Sequence, residues 1–213
     1  MSATVNLVKD QKIDLTKSNP GLTKVKVGLG WNPSTVQGKT YDIDASCFIL
    51  GADGKKLSTN HFIFYNNIDG SGTTSPEFKA GKQPNPIFGV LHSGDERTGA
   101  AAGDDESITV DFSKLPADAT EIVFVVTTHE TDAQGNPLPI DKRTISFGQV
   151  SDCYIRVVDE TNNAELMRFD LQEDNSANYA MIFGKLYKKD NEWKFQAVGT
   201  GGKLGLQEYL NQF

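Results

Sequence analysis

Apolar residues return at every second position through much of the chain, the period of a strand with one buried face. Residues 23–29 (TKVKVGL) set Val25, Val27 and Leu29 on one side. Residues 45–50 run into Ala52-Asp53-Gly54-Lys55, where Asp-Gly signals a hairpin, and residues 62–65 read as the returning strand. Segments 108–112, 122–127, 154–158 and 166–171 follow the same rule. Segments 182–187 and 193–198 predict a late hairpin about Asn191-Glu192. Only residues 204–213 carry a helical pattern, and it is short.

The pattern also repeats. Ile13-Asp14-Leu15-Thr16-Lys17 is answered by Val110-Asp111-Phe112-Ser113-Lys114, and Thr23-Lys24-Val25 by Thr120-Glu121-Ile122. Cys47-Phe48-Ile49 corresponds to Cys153-Tyr154-Ile155, and Phe62-Ile63-Phe64 to Phe169-Asp170-Leu171, after which Asn66-Asn67 falls opposite Glu173-Asp174. The expectation is an all-β fold: one β-sandwich of two antiparallel sheets over residues 1–213, with an internal pseudo-twofold duplication (about 13–106 and 110–199) and a short C-terminal helix. Segments 68–86 and 131–143, rich in turn formers, read as mobile surface loops breaking the repeat, and 199–203 as a flexible link to the helix.

Composition agrees with strands and turns: 20 glycines stand beside two tryptophans and three methionines. Residues 1–12 hold no apolar run of signal-peptide length, and no segment reaches membrane-span length, so the expected compartment is the cytoplasm. Cys47 and Cys153 sit inside apolar runs and read as buried, reduced thiols. A net charge of -7 argues against nucleic acid as a partner, because backbone binding needs clustered cations.

That negative charge is clustered. Residues 94–106 carry five carboxylates (Asp95, Glu96, Asp104, Asp105, Glu106) and one arginine. Asp170, Glu173 and Asp174 close a strand, and Asp42 and Asp44 share one strand face. Carboxylates converging at strand ends repel unless a cation lies between them. Oxygen donors without cysteine or histidine suit Ca²⁺, and Asn66 and Asn67 add neutral oxygens at a comparable strand end. An EF-hand beginning at Asn67 fails, since its twelfth position is Phe78.

Gly28-Leu29-Gly30-Trp31, Asp42-Ile43-Asp44-Ala45-Ser46 and Phe62-Ile63-Phe64-Tyr65-Asn66-Asn67 together resemble the TerD family of bacterial tellurite-resistance and stress proteins. Gly94-Asp95-Glu96-Arg97-Thr98-Gly99 followed by Gly103-Asp104-Asp105-Glu106 is similar to that family's signature. Phe147-Gly148-Gln149-Val150, Arg168 to Asp174 and Glu192 to Gly199 extend the match in order. The resemblance implies a cytoplasmic, calcium-binding sandwich acting in tellurite, chemical or phage stress as a non-catalytic scaffold near the membrane, with other stress-resistance proteins as partners. It implies a metal set drawn from Asp42, Asp44, Asn66, Asn67, Asp95, Thr98, Asp104, Asp105, Glu106, Asp170, Glu173 and Asp174. Glu96 stands where the family has Asn, and Ala100-Ala101-Ala102 replaces a spacer containing Gly and acid, so the loop is expected to lack one carboxylate.

Two other functions rank lower. A calcium-dependent binder of anionic lipid would use the ion to bridge acidic loops to phosphates, but the loops lack the aromatic and basic clusters that reinforce docking. A metal-dependent hydrolase is less favoured still. His92 precedes Asp95 by three residues and adjoins Ser93, yet no Gly-x-Ser-x-Gly elbow is present, and Gly199 to Lys203 lacks phosphate-loop spacing.

Overall fold

Strands form where the alternating runs fall and stack as two six-stranded sheets in a computed structural model that describes residues 4–33, 40–73, 75–171, 177–202 and 205–213. Among these residues the first sheet runs β1 (Val5–Asn6), β10 (Ala164–Asp170), β9 (Tyr154–Asp159), β3 (Lys24–Gly30), β7 (Glu106–Asp111), β6 (Val90–His92). The second runs β2 (Lys12–Asp14), β12 (Glu192–Gly202), β11 (Ala180–Lys189), β8 (Glu121–His129), β4 (Asp42–Leu50), β5 (Phe62–Ile63). Neighbours are antiparallel, except that β1 lies parallel to β10.

The chain crosses between sheets twice in the same way. β3 lies in the first sheet while β4 and β5 lie in the second; β8 lies in the second while β9 and β10 lie in the first. Each of these strands takes the place in its sheet that its counterpart takes in the other. The final hairpins differ, because β7 is inside β6 whereas β11 is inside β12. Hydrogen bonding of β3 to β9 and of β4 to β8 joins the two halves, so neither half owns a separate core.

That core lies between the sheets. Val25, Val27 and Leu29 of β3 face Ile43, Ala45, Cys47 and Ile49 of β4, with Phe183, Phe195 and Met167 filling the middle. Both cysteines are free and buried, and burial pushes their thiols up. A second apolar cluster covers the outer face of the second sheet, where the helix α2 (Leu206–Gln212) lies on Phe48, Leu50, Phe62, Val123 and Val125. The second half of β4 is therefore covered on both faces, which explains why 47–50 (CFIL) is apolar without a break.

Three local expectations change. The late hairpin turns on Asp190-Asn191, both at positive φ (56° and 62°), one residue earlier than the sequence suggested. Residues 199–202 are not a link: they continue β12 against β11. Segment 68–86 begins buried, with Ile68 and Asp69 tied to the β6 region by His92 N–H donating to Ile68 O and Ile87 N–H to Asp69 O. It also holds the short helix α1 (Pro76–Lys79). Among the described residues no helix is long and apolar enough to cross a membrane.

The β11–β12 pair is irregular between Ile182 and Gly184, where the register shifts. A Cβ at Gly184 would lie 2.3 Å from Phe195 Cζ, inside the core. Gly184→Ala is expected to destabilise by about 1–3 kcal/mol through overpacking. Urea unfolding should show a lower midpoint at unchanged slope; an unmoved midpoint would mean that Phe195 yields freely.

Candidate metal centre

β4 alternates, so Asp42 and Asp44 share its outer face with Ser46, Phe48 and Leu50. Further along, α2 covers that face with apolar side chains; at the start of the strand it is left to the carboxylates. The loop between β6 and β7 brings Asp95 to them. One carboxylate oxygen from each of Asp42, Asp44 and Asp95 lies within 4.8 Å of the others, with Asp42 and Asp44 buried and Asp95 exposed.

Three carboxylates this close repel one another when ionised. Burial raises the Asp42 pKa to about 6, and Asp44 and Asp95 add to the effect. Burial, then Asp44, also raises Asp95. The Tyr65 hydroxyl is raised by burial and by the same three carboxylates. Two side chains act against the repulsion within the cluster. His129, opposite Asp42 in the β4–β8 register, donates Nδ1–H to Asp44 Oδ2 at 3.2 Å, and this bond raises its pKa. Arg97 Nε lies 3.4 Å from Asp42 Oδ2 and 3.8 Å from Asp95 Oδ2. Asp42 Oδ1 is buried without a hydrogen-bond partner among the described residues. An open cleft of about 370 Å³, lined by Thr40, Asp42, Arg97, Thr98, His129 and Ile145 among others, adjoins the cluster.

The loop is held in place by the acids that end it. Asp104, Asp105 and Glu106 make three separate sets of contacts. Asp104 accepts from Arg156 Nε at 2.6 Å and pairs with Lys26 Nζ at 3.1 Å, over Gly28, where a Cβ would strike its carboxylate at 2.3 Å. Asp105 accepts from the N–H groups of Trp31 (2.9 Å) and Ala101 (3.1 Å). Glu106 accepts from Ala45 N–H at 2.6 Å and Glu96 N–H at 3.2 Å.

The Glu106 contacts have a topological cause. β5 pairs only with Cys47 and Phe48, so the peptide groups of Ala45 on that edge find no strand. Glu106 takes the N–H, and His92 Nε2–H donates to Ala45 O at 2.9 Å, while His92 Nδ1 accepts from Gly94 N–H. Complete burial lowers the His92 pKa to about 4, so the ring is neutral. His92 is thereby occupied as a structural residue.

Of the residues singled out in the sequence, the structure brings together Asp42, Asp44 and Asp95. Asp104, Asp105 and Glu106 brace the loop instead. Asn67 is buried and braces its own loop, donating to Phe62 O at 2.7 Å and accepting from Gly72 N–H. Asn66 is exposed. Asp170 pairs with Arg168 at 2.7 Å. Thr98 bonds Glu96, which also accepts from Gly99 N–H, so Glu96 organises the turn. Glu173 and Asp174 lie outside the described residues. His129, Tyr65 and Arg97 were not expected at the cluster; only the cross-strand register of His129 with Asp42 points to the first.

Residues 3–213 match the TerD domain family. The chain is 45% identical to general stress protein 16U of Bacillus subtilis (strain 168), covering 99% of this chain and 97% of that one. It is 40% identical to the tellurium resistance protein TerD of Serratia marcescens, with the same coverage. Its fold is similar to the crystal structure of a homologue of telluride resistance protein (TerD) from Streptomyces coelicolor A3(2), with TM-score 0.63, 18% identity, and 89% of this chain and 96% of that one covered.

Proposed function

The chain belongs to the TerD family, and from that premise we propose that it is a calcium-binding module of the stress and tellurium-resistance response, a non-catalytic scaffold. The observation that carries this reading is the buried, unpartnered Oδ1 of Asp42 beside two further carboxylates. A buried acceptor without a donor is costly, and a cation is the partner that three converging carboxylates favour. Asp42, Asp44 and Asp95 would hold the ion, each offering two oxygens. The donor set is hard oxygen, with one ligand on a loop, which suits Ca²⁺ better than the rigid octahedron of Mg²⁺. Bound calcium would supply divalent charge and fix the 93–105 loop against β4, giving a partner a single surface to read.

Calcium at a hundred times its Kd is expected to add about 2.7 kcal/mol of stability and to raise Tm by about 5–10 °C. Chelator should reverse the shift, and Asp44→Asn should abolish it. The effect carries a pH sign. With its folded pKa raised to about 6, Asp42 contributes stability that is present below its ordinary 3.8 and lost as pH rises through 6. Calcium binds the ionised form, so its stabilisation should be full above pH 6 and fade below. Melting curves unmoved by calcium at pH 7.5, with no heat in calorimetry, would remove the reading.

A further inference from the structure

Resting on the calcium reading above, we propose that Arg97 is a tethered counter-ion which an incoming metal displaces, and that it sets the site's preference for divalent over monovalent cations. The guanidinium reaches Asp42 and Asp95 through a single nitrogen, Nε, at 3.4 and 3.8 Å, without the two parallel bonds of a strong arginine–carboxylate pair. Its side chain is 62% exposed, whereas that of Asp42 is 12% exposed, so the arginine stands on the solvent side of Asp42, where both line the open cleft. It leaves Asp42 Oδ1 unpartnered and buried. Arg97 therefore compensates the carboxylates only in part.

Release of Arg97 returns an exposed arm to water, where the loss of two long contacts is small. What enters must then offer more than the arginine did. A monovalent ion exchanges one positive charge for another and gives up hydration, with no electrostatic gain. A divalent ion doubles the charge facing three carboxylates and reaches the oxygen that Arg97 does not. The other basic side chain at the cluster, His129, bonds Asp44 from the β8 side and makes no bond to Asp42 or Asp95. The guanidinium stays charged at every physiological pH, so the threshold it sets does not vary with pH. Lysine would preserve the charge and glutamine would remove it.

The test compares wild type, Arg97→Gln and Arg97→Lys by calorimetric titration with CaCl₂ at pH 7.5, in low salt and in 150 mM NaCl or KCl. Arg97→Gln should bind calcium roughly tenfold more tightly at low salt, the size expected of one unit charge a few ångströms from a divalent ion in a water-like medium. It should also lose more of that affinity on adding Na⁺ or K⁺ than wild type does. Arg97→Lys should stay near wild type. Melting in chelator checks that each variant folds. Equal or weaker calcium binding by Arg97→Gln, with wild type binding, would overturn the counter-ion role and leave the calcium reading standing. Absence of binding in all three proteins would overturn both. Binding by Arg97→Gln alone would support the displacement.

Discussion

Deletion of residues 206–213 is expected to lower Tm by about 10 °C or more and to make the protein bind a hydrophobic dye while still largely β. Helix α2 has seven residues, too short to be stable alone, so its existence depends on what it covers. Tyr209 is buried, and Leu206, Leu210 and Phe213 pack on the same cluster as Phe48, Leu50 and Phe62. Phe213 lies 5.0 Å from Phe48 between ring centroids, and Phe48 stacks on Phe62 at 4.6 Å. Burying such side chains stabilises by about 1.5–3 kcal/mol each when complete, so four of them, three only partly covered, are worth about 4–6 kcal/mol. The last turn is also held by charge: Lys55 Nζ donates to Gln212 O at 2.6 Å and Lys56 Nζ to Leu210 O at 2.9 Å. Without the helix an aromatic patch on an outer sheet face is left open, which is an association surface. Unchanged dye fluorescence and Tm in the shortened protein would mean that β4 does not need its cover.

Much of the fold was legible because strand faces alternate. The run 23–29 became β3 with Val25, Val27 and Leu29 inward, as its pattern required. The C-terminal helix followed from its spacing in the same way. What the pattern does not carry is which strand sits beside which. β3 finds β9 and β4 finds β8 across more than 70 residues, and such pairing is decided by packing rather than by local preference. The glycines from 199 misled for a related reason. Glycine is a poor strand former alone, yet Gly201 and Gly202 pair with Met181 and Ala180 because β11 offers them a complete edge.

The candidate site was legible in part, for physical reasons that differ by residue. Asp42 and Asp44 share a face by the period-two rule, and the glycines around Asp95 permit a loop able to reach them. The signature acids 104–106 look equivalent in sequence because all three are carboxylates. Their roles are set by what lies opposite: Arg156 and Lys26 for Asp104, two peptide N–H groups each for Asp105 and Glu106. Charge density marks the loop, but only neighbours separate the carboxylates that converge on one another, Asp42, Asp44 and Asp95, from those that hold the loop.

Glu106 makes that distinction measurable. Glu106→Ala leaves the Ala45 and Glu96 N–H groups without acceptors in a buried site, at about 1–3 kcal/mol each, and opens a cavity as well. A loss of about 3–5 kcal/mol is expected, with a Tm drop near 10 °C or more. Because these two bonds flank Asp44 and Asp95, the calcium affinity proposed for the cluster should fall with them. Glu106→Gln keeps one carbonyl acceptor and should lose less.

The pH dependence separates bracing from ligation. Burial, reinforced by Asp44 and Asp95, raises the Glu106 pKa to about 9, well above its ordinary 4.5, despite the two donors. The folded state then holds a proton that the unfolded state has released. Stability from this group is full below pH 4.5 and declines as pH rises towards 9. In chelator, wild type should lose on the order of 2–3 kcal/mol from this source between pH 6.5 and 8.5, and Glu106→Gln should show a flatter curve. A carboxylate that ligates directly binds as the ion. Loss of calcium binding in Glu106→Gln with an unchanged pH slope would therefore place Glu106 on the metal rather than behind it.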